Sequence, residues 1–125
     1  KVKWGSDMGN EPEYLKNLKP KYKFWLESED GYVFGQGSFE LLRGIQEQGS
    51  LSRSSKTKGM SYRYAWGIIK EIEKRMGKPI LETRTGGKTG GGATLTLTGQ
   101  KLLEVYVEFT KAFDQICINW MDEPS

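Results

Sequence analysis

The run Arg84-Thr85-Gly86-Gly87-Lys88-Thr89-Gly90-Gly91-Gly92 sets five glycines around a lysine. Such a composition suits phosphate binding, and two chemistries compete for it. Gly87-Lys88-Thr89 matches the end of a nucleotide-cradling loop, but that motif needs a glycine five residues before its Gly-Lys pair and a helix immediately after. Glu82 stands at the first of these places and glycines stand at the second, so nucleotide binding is set aside. A slender loop carrying Arg84 and Lys88 is instead able to follow a DNA backbone or enter the minor groove. The plain alternative is a hairpin tip that binds nothing.

A second group lies upstream. Ser61, Tyr62 and Arg63 fall at the expected start of a helix, where backbone N–H groups and the helix dipole favour phosphate. Arg63 can offer a two-donor fork to guanine O6 and N7, whereas Lys70, farther along, suits backbone contact; the alternative for Arg63 is hydration alone. Tyr62, Tyr64 and Trp66 serve a core or an interface as readily as a base. Ser50, Ser52 and Arg53 near the start of the preceding helix, with Thr85 and Thr89 in the glycine loop, complete the candidate DNA-binding set.

Composition removes most other chemistries. Of 125 residues none is histidine and only Cys117 is cysteine. That excludes nucleophiles paired with histidine, Cys/His zinc sites and an intrachain disulfide. Glu27, Glu29 and Asp30 gather around a turn with no second catalytic group, so no enzyme, cofactor or metal is expected. The net charge is only +3, yet Ser50 to Leu97 holds ten Lys and Arg against three acids. A concentrated basic block of this kind docks on polyphosphate, and double-stranded DNA is the leading partner. No stretch approaches the ~20 apolar residues of a membrane span, so no membrane association and a cytoplasmic location are expected. A first residue of Lys rather than Met suggests a processed or truncated chain.

These groups need elements to position them. Lys1 to Pro20 reads as an arm with one helical turn near Tyr14 to Leu18. Alternation at Tyr22, Phe24 and Leu26, then Asp30-Gly31, then Tyr32-Val33-Phe34, predicts a hairpin. Ser38 is expected to cap a helix through Gln48 that buries Phe39, Leu41, Leu42 and Ile45, with Gly49 ending it. Ser50 or Ser52 starts a short helix to about Lys58, Gly59 breaks it, and Ser61 caps a third helix to Met76-Gly77. That helix carries an apolar stripe of Ala65, Ile68, Ile69, Ile72 and Met76, opposite Tyr62, Arg63, Lys70 and Lys74. Ile80 to Thr83 and Thr94 to Leu97 pair as a long-looped hairpin. Thr98 is expected to cap a last helix to Trp120, whose Leu102, Tyr106, Phe109, Phe113, Ile116 and Trp120 form a heptad seam for a second copy of the chain. Cys117, beside the seam, reads as a small buried residue.

Helix, turn, helix and basic hairpin in that order define an α+β winged helix-turn-helix, here with an N-terminal β-hairpin and a long C-terminal dimerisation helix. The expected division is an arm at 1–20, a DNA-binding domain at 21–97 and the dimerisation helix at 98–125. An architectural DNA-coating protein with little sequence preference would use the same basic face.

Gly49-Ser50-Leu51-Ser52-Arg53, Gly59-Met60-Ser61-Tyr62-Arg63-Tyr64-Ala65-Trp66 and Thr85 to Thr96, followed by Gly99-Gln100, resemble the DNA-binding domain of ModE-type molybdate-responsive transcription regulators, a domain more distantly LysR-like. The resemblance covers about Phe39 to Phe113 and implies a winged helix, a dimer and sequence-directed DNA binding. Family members that sense molybdate carry C-terminal oxyanion-binding domains, and this sequence ends at Ser125. Molybdate is therefore not an expected partner.

Overall fold

A computed structural model describes residues 12–87 and 90–121. The elements are α1 (Glu13–Lys16), β1 (Leu26–Ser28), β2 (Gly31–Phe34), α2 (Gln36–Gln48), α3 (Leu51–Thr57), α4 (Tyr62–Met76), β3 (Leu81–Gly87), β4 (Gly90–Leu95) and α5 (Leu97–Met121). The fold is mixed α+β, with two separate antiparallel hairpins, β1–β2 and β3–β4. Two compact units divide it: Phe24–Tyr106, and Lys1–Lys23 together with Val107–Ser125.

The core of the larger unit is built from the apolar positions that helical and strand periods single out. Phe34, Leu41, Leu42, Ile45, Ile69 and Ile80 are fully buried. Tyr106 joins them by stacking on Phe24 at 4.4 Å and Phe39 at 4.7 Å between ring centres, and by meeting Phe34 edge-on. Helices α2 and α3 approach closely at Gly44 and Ser54, where a Cβ on Gly44 would collide with the Ser54 hydroxyl. That hydroxyl is buried without loss because it donates to the Leu41 carbonyl at 2.8 Å.

In the smaller unit, Tyr22 donates to the Asp114 carboxylate at 2.6 Å and its ring lies 5.1 Å from that of Phe113. The alternation at Tyr22, Phe24 and Leu26 therefore does not mark one long strand. Only Leu26 pairs in the β1–β2 ladder, while Tyr22 and Phe24 are spent on ring contacts with residues of α5. The turn is centred on Glu29 and Asp30, one residue earlier than the expected Asp30-Gly31, because Gly31 already pairs with Ser28 in the ladder.

Several local expectations are corrected. Ser38 is not the cap of α2: Gly35 is, and Phe39 N–H bonds to the Gly35 carbonyl at 2.9 Å. The Tyr32 hydroxyl fills the space a Cβ on Gly35 would take, and Ser38 is buried inside the helix. Thr98 does not cap α5. Thr96 does, because its hydroxyl accepts from Gly99 N–H at 3.2 Å while donating to the Pro79 carbonyl at 2.8 Å, which ties the helix start to the approach of β3. Met76 is exposed at the end of α4, Ile68 is only half-buried, and Cys117 is half-buried rather than buried. The β3–β4 ladder runs out to Gly87 and Gly90 instead of stopping at Thr83 and Thr94, since glycine leaves the backbone free to pair without any side-chain pattern to announce it.

Candidate nucleic-acid interface

Local capping chemistry fixes the two helices that carry most of the candidate residues. Ser50 accepts from Arg53 N–H at 3.1 Å at the start of α3, and Ser61 accepts from Tyr64 N–H at 3.1 Å at the start of α4. Between them Gly59 takes a left-handed conformation with φ of 72°, and Met60 N–H closes the turn on the Ser55 carbonyl at 2.8 Å. The apolar side of α4 is held down by Ala65, Ile69 and Ile72, all buried. Arg63, Lys70 and Lys74 are consequently exposed on the opposite face.

The β3–β4 hairpin is anchored at its root. The Glu73 carboxylate accepts from Ile80 N–H at 2.8 Å, Thr96 N–H bonds to the Ile80 carbonyl at 3.0 Å, and Ala93 N–H bonds to the Gly49 carbonyl at 2.9 Å. These bonds bring one side of the hairpin against the start of α3 and the Tyr62–Trp66 side of α4. A cleft of about 310 Å³ results. Ser50, Ser52, Tyr62, Trp66, Arg84 and Thr85 all line it, so six of the candidate residues share one concavity. Trp66 meets the Tyr62 ring edge-on at 6.2 Å and carries the Lys70 ammonium 5.0 Å from its ring centre, which stiffens this side of the helix.

Charge follows the same division. Lys58, Lys70 and Arg75 have carboxylate partners, whereas among the described residues Arg53, Arg63, Lys74 and Arg84 form no ion pair. Arg53 and Arg63 project from α3 and α4 outside the cleft lining. Tyr64 lies apart from the rest: it lines a different groove, of about 520 Å³, with Tyr32, Val33, Met60 and Ile68. Lys88 and Thr89 lie outside the described residues. Lys74 on this face and Leu51, Thr83, Gly91, Gly92 and Ala93 in the cleft were not among the candidate residues. Lys74 repeats the α4 spacing of Lys70 and was legible in principle, whereas Thr83 and Gly92 enter the cleft only through strand register.

Of the six seam positions on α5, Leu102 and Tyr106 are buried in the core of the larger unit. Phe113 and Trp120 are half-buried, and Phe109 and Ile116 are exposed, as are Ile118 and Met121 on another face of the helix. No group of three His, Cys, Asp or Glu that could hold a metal occurs among the described residues, and none of the described helices is long and apolar enough to cross a membrane.

A capped helix pair with a basic outer face and a hairpin anchored beside it is an arrangement compatible with a winged helix-turn-helix. No family model matches the chain. Individual relatives do: the chain is 44% identical over 94 residues to the DNA-binding transcriptional dual regulator ModE of Escherichia coli, a match covering 75% of this chain and 33% of that protein. It is 41% identical over 66 residues to the transcriptional regulator ModE of Haemophilus influenzae, covering 53% of this chain and 26% of that one. The molybdenum-pterin-binding protein MopB of Rhodobacter capsulatus is 36% identical over 76 residues, 61% of this chain and 28% of its own. The chain is thus homologous to a segment of ModE-type transcriptional regulators, and its matches span about a quarter to a third of their length.

Proposed function

We propose that the chain binds double-stranded DNA as the DNA-reading part of a transcription regulator and catalyses no reaction. In this reading residues 21–97 are a winged helix-turn-helix: α3 and α4 form the helix pair, α4 lies in the major groove, and β3–β4 is the wing on the backbone or in the minor groove. Arg63 reads a base, with Tyr62 and Trp66 beside it. Arg53, Lys70, Arg84 and Lys88, helped by the hydroxyls of Ser50, Ser52, Ser61, Thr85 and Thr89, hold phosphates. The single observation that carries this reading is the gathering of Ser50, Ser52, Tyr62, Trp66, Arg84 and Thr85 around one cleft, with Arg53, Arg63, Lys70 and Lys74 exposed on the two helices beside it. The ModE relatives are transcriptional regulators, which supports the same conclusion. In this reading the chain acts in the cytoplasm.

The acting species in this proposal is a homodimer joined through 98–125. Ile116, a large exposed apolar side chain on the seam in the outer half of α5, supports it. Two such chains would set two α4 helices about one turn of DNA apart, so half-sites about 34 to 36 Å or a multiple apart are expected. Selection of bound fragments from a random duplex pool tests the whole reading. Enrichment of a two-part motif is expected. Retention of fragments with no common motif would favour a DNA-coating protein, and no retention would overturn DNA binding.

A further inference from the structure

Arg84 of β3 stands opposite Gly92 of β4 in the ladder. The pair is in intimate contact: a Cβ on Gly92 would lie 2.5 Å from Arg84 Nη2 and 3.3 Å from its Cζ. The guanidinium therefore crosses the neighbouring strand through space that any other residue at 92 would fill. The same Cβ would lie 3.3 Å from the Gly49 carbonyl oxygen. That oxygen already accepts from Ala93 N–H at 2.9 Å, so the strand under the guanidinium is stitched to the turn between α2 and α3. Arg84 is thus laid across a fixed piece of backbone at the wall of the cleft, beside hydroxyl-bearing Ser52, Thr83 and Thr85. Among the described residues no carboxylate pairs with it. A planar five-donor cation lying across the strand with no acid partner, beside the hydroxyls of Ser52, Thr83 and Thr85, is placed to meet an oxyanion.

Building on the DNA reading above, we propose that this cleft seats one DNA-backbone phosphate, that Arg84 binds it, and that Gly92 is the positioning residue that lets Arg84 lie there. Gly92→Ala displaces the far end of the flexible Arg84 side chain and also presses on the Gly49 carbonyl oxygen, 3.3 Å from the new Cβ, so the guanidinium leaves its seat while the backbone contact must give slightly. Nothing in this role requires a base contact, and the loss extends to every sequence.

The test uses the 125-residue chain and a labelled random-sequence duplex, with anisotropy titrations at chloride concentrations from about 50 to about 200 mM. Arg84→Ala is expected to reduce the slope of log affinity against log salt by about 0.9, the signature of one lost phosphate contact. Gly92→Ala should lose the same increment, and the double variant should lose no more than either single one. Additive losses, or an unchanged slope in Arg84→Ala, would overturn the assignment. Circular dichroism checks that Gly92→Ala is folded. If it is not, the side-chain nitrogen resonance of Arg84 in the parent chain decides, since it must shift on adding duplex and its failure to move sinks the proposal. Inorganic phosphate at matched ionic strength should not displace the duplex; displacement at low millimolar concentration would make the cleft a free-anion site instead. Failure of the parent chain to bind any duplex is a different result, because it overturns the DNA reading itself.

Discussion

The β1–β2 hairpin turns through Glu29 and Asp30 and ends on Val33 and Phe34, both buried, with Phe34 against the edge of Tyr106. The β3–β4 hairpin buries Leu81, Ala93 and Leu95 at its root, and beyond Thr83 it is glycine, threonine and cations. One hairpin is consumed by the core along its second strand. The other is divided into an anchored root and a chemically distinct outer part. The contrast teaches where each can tolerate change: stability is concentrated in β2 and in the root of β3–β4, and binding chemistry in the outer part of β3–β4.

The sharpest way to break this contrast is Phe34→Ala, which should cost about 3 to 5 kcal/mol in a denaturant melt because it empties a fully buried aromatic site. A loss below about 1 kcal/mol would show that β1–β2 is not part of the core. Thr96→Ala comes next. It removes both the α5 cap and the tie to Pro79, and a loss of about 0.5 to 2 kcal/mol is expected at the root of β3–β4.

Tyr106→Phe keeps the ring contacts that hold Phe34 but deletes the hydroxyl bonded to Gln36 at 3.0 Å, for about 0.5 to 1.5 kcal/mol. Burial first, then the charges of Tyr32 and Glu40, hold the Tyr106 hydroxyl above the ordinary phenol range. A raised folded-state value means that the unfolded chain loses this proton more readily. The contribution of Tyr106 is therefore complete below the ordinary phenol value of about 10 and is lost as pH rises through the folded value. Alkaline melts of the parent chain should show that loss, and those of Tyr106→Phe should show less of it. The smallest effect on stability is expected for Arg84→Ala, within about 0.5 kcal/mol, because its side chain fills no core space.

The legible parts of the molecule were those fixed by chemistry within a few residues. Ser50, Ser61, Gly49, Gly59 and Gly77 announce helix boundaries because a cap needs only its own side chain or a left-handed φ. Thr98 misled because a distant partner decides that boundary, Pro79 bonded to Thr96, and Ser38 misled because Gly35 caps the helix through its backbone alone, with no side chain to announce it. The candidate site divides in the same way. Arg63 and Lys70 could be placed on the outer face of α4 from helical spacing alone. That Trp66 turns toward the cleft while Tyr64 turns toward a separate groove follows from how α4 is seated, and the contact of Arg84 with Gly92 follows from strand register, which a glycine run does not encode.

The central claim is that the unpaired cations of α3, α4 and β3 meet a polyphosphate. Titration of the parent chain against a labelled duplex over a range of salt concentrations tests it most directly. Saturable binding is expected, with log affinity falling linearly with log salt at a slope of about −0.9 for each of several phosphate contacts. Absence of binding, or an affinity indifferent to salt, would contradict it.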